Sequence, residues 1–425
     1  MKKHILTGLA AALFALGATV AQAGPPQVSV INPDDLFQDV VHGSAQVGNV
    51  YASALTLSGY VGSLPAKGNV LIGGDATTNL WQRGTTGASE TTTYAYGGPD
   101  RWAYWSGTNT AVTVSKDTTA ADLPTTAFAA AFKMARTSGQ TGVVQTCMAQ
   151  EIESANSYQF QGQTAELDFH ATAGANFSAA SSNLTAYIIY GTGTDEGMQK
   201  LAWGLNAGGG GSTAWAGQTN ATAAVIPIST VTGRYAAVAS IPATATELGV
   251  AICFTPVGTA GTNDYVALAG IQLVRNAALA GSVNATAGYS CTGAGIQCSS
   301  FDRRQQGLET LLQQRYYYQI TDNVANTVPI TLCHATTTSA VVCPIQFPVP
   351  MRAAPTATAS ATTAFGDTAT AGAPTACTAF AVVASSTSPL TGKVTCTTGA
   401  TTTAGGSSQL VGANTSANVS FSSEL

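Results

Sequence analysis

Residues 69–86 read NVLIGGDATTNLWQRGTT, and residues 99–107 read PDRWAYWSG. Two arginines and three tryptophans stand together here, in a chain of which only 9% is charged. Ordinary globular proteins carry about 25%. VLI starts as an apolar strand, Gly73-Gly74-Asp75 turns it, and AYW offers a second short strand. On such a strand Trp102 and Tyr104 share one face and Trp105 takes the other. Both faces cannot be open to solvent, so part of this cluster belongs to a core.

Downstream the same rhythm continues. AVTVSK (111–116), GVVQTCMAQEI (142–152), TAELDFHA (164–171), LTAYIIY (184–190), RYAAVASI (234–241), ELGVAICFTP (247–256) and DYVALAGIQLV (264–274) are rich in β-branched and aromatic residues. Several alternate with period two, and Gly, Asn, Ser and Thr clusters separate them. Strands at this spacing predict an all-β sandwich. TTAFAAAFKMAR (125–136) suits a helix or a strand. DRRQQGLETLLQQRYY (302–317) predicts a helix, with Leu308, Leu311, Leu312 and Arg315 at i, i+3, i+4 and i+7. Strand-like segments return after it, Thr- and Ala-rich towards the end, and predict a smaller second β-sandwich.

The chain opens with MKKHILTGLAAALFALGATVAQA, a basic start, an apolar stretch and a small-x-small ending. That is the pattern of a cleaved secretory signal, with Gly24 as the expected mature start. No later run is apolar enough for a membrane span once the signal is removed. The whole chain has a formal charge of −5, and loss of Lys2 and Lys3 makes it more negative. With no basic patch, nucleic acid is excluded as the expected partner. The surface must be Thr, Ser, Asn, Gly and Ala.

Eight cysteines in an exported chain favour disulfides. Spacing favours Cys291–Cys298, Cys333–Cys343 and Cys377–Cys396 as local loops, with Cys147–Cys253 as a long-range bridge. A zinc site is the rival reading, but no Cys-x-x-Cys pair is present.

The opening stretch also resembles something known. Gly-Asp after an apolar strand start, Trp81-Gln82-Arg83-Gly84 and then Asp100-Arg101-Trp102 resemble the opening of a jelly-roll module of bacteriophage tail and virion structural proteins. Segments at 155–197, 247–273, 301–318 and 344–356 follow in the order of that family, so the resemblance covers about 69–356. It implies a carbohydrate-binding-like, galactose-binding-like jelly roll with a non-catalytic role in adhesion or assembly. The signal and the four disulfide pairs depart from virion proteins and point to an exported bacterial chain.

The resulting organisation is a signal peptide (1–23), a linker or attachment segment (24–68), a jelly roll (69–275), a disulfide-pinned linker (276–300), a connector helix (301–318) and a C-terminal β-sandwich (319–425). Such modules often hold a structural calcium near their first and last strands, where Asp75 and Asp264 fall. No other cofactor is expected.

Catalytic signatures are sparse. Four histidines, one of them in the leader, accompany no nucleophile elbow, zinc-protease motif or phosphate loop. Glu166, Asp168 and His170 fall on one strand face and are expected to form a solvated outer surface. Glu151 with Glu153, or Asp195 with Glu196, are the acid pairs a hydrolase would need. Sugar binding calls for an aromatic face and orienting polar groups. Trp203 and Trp215, flanking a Gly-rich loop, are the first candidates, with Trp102 and Tyr104 behind them. Arg83 and Arg101 are expected to brace the first loops through Asp100 and Asp75.

The expected function is non-catalytic glycan binding by a secreted, extracellular, cell-surface or periplasmic protein. A structural fibre or appendage subunit assembling as a homo-oligomer is the alternative. A glycan-active hydrolase comes third.

Overall fold

The computed structural model describes residues 68–90, 94–106, 112–123, 127–206, 213–291, 296–321, 329–360, 365–367, 375–382, 388–399, 404–412 and 417–425. The expected signal peptide and nearly all of the 24–68 segment lie outside them. The described residues belong to one compact unit, Lys67–Leu425. Among them no helix is long and apolar enough to cross a membrane.

In chain order the first strands are β1 (Thr86–Glu90), β2 (Ala103–Trp105), β3 (Val112–Asp117), β4 (Ala131–Arg136), β5 (Thr146–Ile152) and β6 (Thr164–Ala173). Then come β7 (Asn183–Gly191), β8 (Thr219–Pro227), β9 (Gly233–Ser240), β10 (Glu247–Phe254), β11 (Tyr265–Arg275) and β12 (Tyr289–Ser290). They form a seven-stranded sheet ordered β1-β3-β4-β11-β6-β9-β12 and a five-stranded sheet ordered β2-β5-β10-β7-β8. The ambiguous Ala-rich stretch supplies strand β4 from Ala131 onward, and the alternate residues Phe132 and Met134 fill the core.

Alternation decides which residues face inward. Ala165, Leu167, Phe169 and Ala171 of β6 meet Leu184, Ala186 and Ile188 of β7 in one core between the sheets. Trp81 and Trp102 pack on Phe132 there, with ring centroids 5.6 and 6.1 Å away. Their indole N–H groups donate to the carbonyls of Ala76 and Gly73, so no polar atom is stranded by the burial. A second apolar layer lies on the outer face of the five-stranded sheet. There helix α1 (Met198–Asn206), which the sequence pattern does not announce, contributes Met198, Leu201 and Ala202 over Trp105 and Trp215.

The linker is part of the sandwich. β12 extends the seven-stranded sheet beside β9. Cys291–Cys298 then turns the chain back across that sheet's outer face. The Ser299 N–H and hydroxyl donate to Glu166, and Gln272 reaches both Asp168 and the Ser299 and Ser300 carbonyls. Glu166 and Asp168 are consequently fully buried, a correction to the expected solvated face.

Helix α2 (Gln306–Gln314) follows. It points its polar side inward: Glu309 accepts from the Gly73 N–H, and Gln313 accepts from the Leu80 N–H. Two of its leucines look outward, with Leu308 51% and Leu311 44% exposed.

The C-terminal strands are β13 (Tyr317–Thr321), β14 (Pro329–Ala335), β15 (Ala340–Gln346), β16 (Thr356–Ala359) and β17 (Phe365–Asp367). β18 (Thr375–Val382), β19 (Thr391–Thr398), β20 (Ser407–Gly412) and β21 (Asn418–Ser422) complete them. The smaller β-body is a closed barrel, β14-β15-β19-β18-β17-β20, and a three-stranded sheet, β13-β21-β16, around one shared core. Cys333–Cys343 joins β14 to β15, Cys377–Cys396 joins β18 to β19, and Cys147–Cys253 joins facing residues of β5 and β10. These are the pairs that the spacing favours.

Candidate functional site

The opening motif is where the two β-bodies meet. Asn79 organises it locally: its side-chain oxygen accepts from the N–H groups of Trp81 and Asp100, and its amide donates to the Gly73 and Asp100 carbonyls. Trp81 and Arg101 hold positive φ angles of 52° and 70°, a conformation that side chains other than glycine adopt at a cost of about 1–3 kcal/mol. The surrounding bonds hold them there. Trp81 is thereby sent into the core, and Gln82 and Arg83 are sent across to β13.

Gln82 treats β13 as a neighbouring strand would. Its Nε2 donates to the Tyr317 carbonyl at 2.9 Å, and its Oε1 accepts from the Gln319 N–H at 3.1 Å. The free edge of the three-stranded sheet is thus partly satisfied by one side chain. Arg83 places its guanidinium 3.5 Å from the Tyr317 ring centroid. Its two terminal nitrogens pair with Asp100 at 3.3 Å and Glu424 at 3.0 Å. Arg101 lies behind it, 3.7 Å from the Tyr316 ring, shares Glu424 and donates to the Glu151 carbonyl.

Electrostatics follow from that burial. Burial pushes the Asp100 carboxyl up to about 6, against the pull of Arg83 and Gln82. Burial works against the Arg101 charge, but Glu424, Tyr316 and Tyr96 outweigh it and hold the guanidinium above its ordinary value. Tyr96 is raised well above the phenol range by burial first and by Glu424 second. Its hydroxyl donates to the Leu425 carbonyl at 3.3 Å.

Beside this clamp lies a cleft of about 560 Å³. Gln82, Arg83, Gly84, Tyr96 and Gly97 form one wall. The floor is one face of the three-stranded sheet, and period two builds it. Tyr317, Ser422 and Thr356 form one cross-strand row, and Gln319, Ser420 and Thr358 form the next. Asn418 lies one row further along β21. The intervening Tyr318, Ile320, Val419, Phe421, Ala357 and Ala359 face the C-terminal core. The floor therefore offers hydroxyls and amides and carries no charge.

The structure moves most of the expected site residues away from any ligand. Trp102 and Tyr104 are 0% and 1% exposed in the sandwich core, and Trp215 is 2% exposed under α1. None can present a ring face, which corrects their assignment to a sugar platform. Aromatic residues bury more apolar area than any other type, so a strand aromatic is drawn to the core unless a wall supports it outside. Trp203 is half-buried on α1 and does not line the cleft.

Asp75 and Asp264 do not form a joint calcium site. Asp75 pairs with Arg303 at 2.7 Å in the loop whose Gly74 abuts the Ile271 carbonyl, past the middle of β11. Asp264 pairs with Arg136 at 2.8 Å before the start of that strand. The seven-residue step from Asp264 to Ile271 is roughly 20 Å along a strand, and each carboxylate already has an arginine. Among the described residues no three His, Cys, Asp or Glu side chains group as metal ligands. The expected bracing by Asp75 is also redirected, since Arg83 uses Asp100 and Arg101 uses Glu424.

The acid pairs are likewise committed. Glu153 binds Arg315, Glu196 binds Lys200, and Asp195 accepts from the Ser154 N–H. Glu151 is 1% exposed, accepts from Gly197 N–H, and burial pushes it up to about 8. Asp168 holds Arg234 and Gln272, and the His170 ring packs on Phe128.

Sequence reasoning missed Tyr96, Gln319, Thr356, Thr358, Asn418, Ser420 and Ser422. A signal was there: YYQIT and NVSFS alternate polar and apolar residues, and the polar sets form the floor.

No family model and no curated protein matches this chain. Solved structures resemble it at low identity. The enzymatically active domain of bacteriophage CBA120 tailspike protein 4 matches at 16% identity over 49% of this chain, with a TM-score of 0.28. This chain spans only 21% of that protein's length. TmCBM61, solved with β-1,4-galactotriose, matches at 11% identity over 41% of this chain and 88% of its own, with a TM-score of 0.24. A cyclase from Fischerella sp. in its apo form matches at 7% identity over 50% of this chain and 98% of its own, with a TM-score of 0.29. With every one of these TM-scores below 0.5, the site stands on its own residues.

Proposed function

We propose that this chain is a non-catalytic, extracellular glycan-binding protein, and that the cleft between its two β-bodies receives the glycan. The carrying observation is the floor: rows of Ser, Thr, Asn and Gln beside the half-buried ring of Tyr96. Hydroxyls and amides both donate and accept, as sugar hydroxyls do. An aromatic face suits the C–H groups of a pyranose. About 560 Å³ is within the range of small-ligand sites. Four disulfides suit an oxidising, extracellular compartment.

Retention of the purified chain on glycan arrays and immobilised polysaccharides tests this reading. Tyr96→Ala and Asn418→Ala should each weaken retention, and Trp203→Ala tests the remaining half-buried tryptophan. Failure to bind any member of a broad panel would sink it.

A second reading has its own observation. Leu308 and Leu311 are exposed on α2, whose only charged residue, Glu309, is turned inward. Such a face suits association with another copy, as in a fibre or appendage subunit. Light scattering tests it: an oligomer that Leu311→Gln dissociates supports it, and a monomer at all concentrations counts against it.

A further inference from the structure

Building on the glycan-binding reading, we infer that the cleft selects an uncharged glycan, and that Asp100 and Glu424 enforce the choice by occupying the cleft's arginine.

Among the described residues, Arg83 is the one charged side chain that lines the cleft. An arginine in a sugar site ordinarily reads carboxylate or sulfate, because its planar fork presents parallel N–H donors. Here the fork is taken. One terminal nitrogen is 3.3 Å from Asp100 and the other is 3.0 Å from Glu424. One face of the guanidinium is also covered, by Tyr317 at 3.5 Å.

Arg101 offers no substitute. It is 1% exposed, pairs with the same Glu424 and directs its other terminal nitrogen to the Glu151 carbonyl. Two cations thus face two carboxylates, and the set is balanced before any ligand arrives. A uronate or sulfate entering the cleft would find no uncommitted cation. It would bring a third negative group towards Asp100 and Glu424, which have side chains 0% and 6% exposed. Desolvating an anion without a paired cation is costly.

A neutral sugar meets none of these penalties. The floor rows supply Thr, Ser, Gln and Asn groups that exchange hydrogen bonds with hydroxyls in either direction. Anion exclusion and hydroxyl acceptance therefore come from the same architecture: the ion pairs lie inside the wall, and the uncharged face looks out.

The test uses the full mature chain and two sets of immobilised polysaccharide at physiological salt. Mannan, galactan and β-glucan form the neutral set; polygalacturonate, hyaluronate and heparin form the acidic set. Retention by at least one neutral member and by no acidic member is expected. Glu424→Gln frees one nitrogen of the Arg83 fork and leaves a net positive charge. It should gain roughly tenfold in retention on an acidic member, with the gain lost at high salt. Asp100→Asn frees the other nitrogen and gives the same readout should Glu424→Gln not fold. Wild-type retention by acidic members overturns charge selection while glycan binding itself stands. Folded variants that gain no acidic retention overturn the role of the two carboxylates. Retention of wild type by neither set overturns this inference together with the glycan reading.

Discussion

Arg83 sits over the ring of Tyr317, 3.5 Å from its centroid, and so joins the first loop of the sandwich to the first strand of the C-terminal body. Gln82 reinforces the junction by bonding the backbone on both sides of Tyr318. The motif that stands out as charged and aromatic in a bland sequence is a structural clamp, and its side forms the wall of a polar cleft.

Replacing Arg83 with Ala should therefore act on the whole fold. Asp100 and Glu424 would lose a buried partner, at a cost of about 3 kcal/mol. Calorimetry should show a lower unfolding midpoint, and limited proteolysis should release the C-terminal body earlier. Arg83→Lys should not restore stability, since an ammonium cannot span both carboxylates from above Tyr317. An unchanged midpoint for Arg83→Ala would contradict the clamp.

Trp215 makes a different prediction. It is 2% exposed and its indole donates to the Gly197 carbonyl. Trp215→Ala should lower stability by about 3–5 kcal/mol, while glycan retention persists at temperatures where the variant stays folded. Loss of retention by a fully folded variant would return this tryptophan to the ligand contacts.

Two glycines should respond in opposite ways. A Cβ on Gly74 would lie 2.1 Å from the Ile271 carbonyl oxygen, and strand backbone cannot swing aside as a side chain can. Gly74→Ala should leave the chain insoluble or strongly destabilised. Gly307 lies in α2, where an added Cβ would meet nothing within 4 Å. Gly307→Ala should raise stability by about 0.5–1 kcal/mol in denaturant titration.

Burial ranks the disulfides. Cys147 and Cys253 are 0% exposed, whereas Cys291 and Cys298 are half-buried at the surface. Mild reductant followed by mass-spectrometric thiol labelling should open Cys291–Cys298 first. Its opening loosens the segment that covers Glu166 and Asp168. Early labelling of Cys147 in the native protein would refute the ranking.

Stability should also rise on mild acidification. Burial raises Asp100 to about 6, Asp168 and Glu247 to about 7, and Glu151 to about 8. An acid whose folded pKa is raised contributes stability that is complete below its unfolded pKa and is lost as pH climbs through the folded value. Burial also lowers His170 to about 4, an opposing effect that sets in only as pH falls below the ordinary histidine value of 6.5. Between about pH 8.5 and 6.5 the acids act alone, and the unfolding midpoint should rise by several degrees. Glu151→Gln should flatten that rise; a midpoint that falls over this interval would refute the assignment.

Much of the fold was legible along the chain. Period-two alternation in β3, β6 and β7 identified strands, and it placed Leu167 and Phe169 in the core. An even count of cysteines behind a signal-like start favoured disulfides, and short separations along the chain favoured three of the four pairs. Helix α1 was hidden because MQKLAWGLN is only nine residues long and is bordered by glycine-rich sequence. Trp102 and Trp215 were misplaced for a physical reason: tryptophan signals large apolar area, and that area was wanted between and beneath the sheets.

The sequence by itself determined that the chain is built mainly of strands, which residues alternate inward on the clearest of them, and the chemistry available at each position. It could not determine which face would be covered, because covering depends on segments remote in the chain. Only the tertiary structure buried Glu166 and Asp168 under Ser299, turned Leu308 and Leu311 of α2 outward and set Gln82 against β13. It alone brought Asp100 and Glu424 to the two nitrogens of Arg83. Hydrogen bonds form only at contact and Coulombic energy weakens with distance and screening, so a charged residue's role is fixed by its neighbours in space.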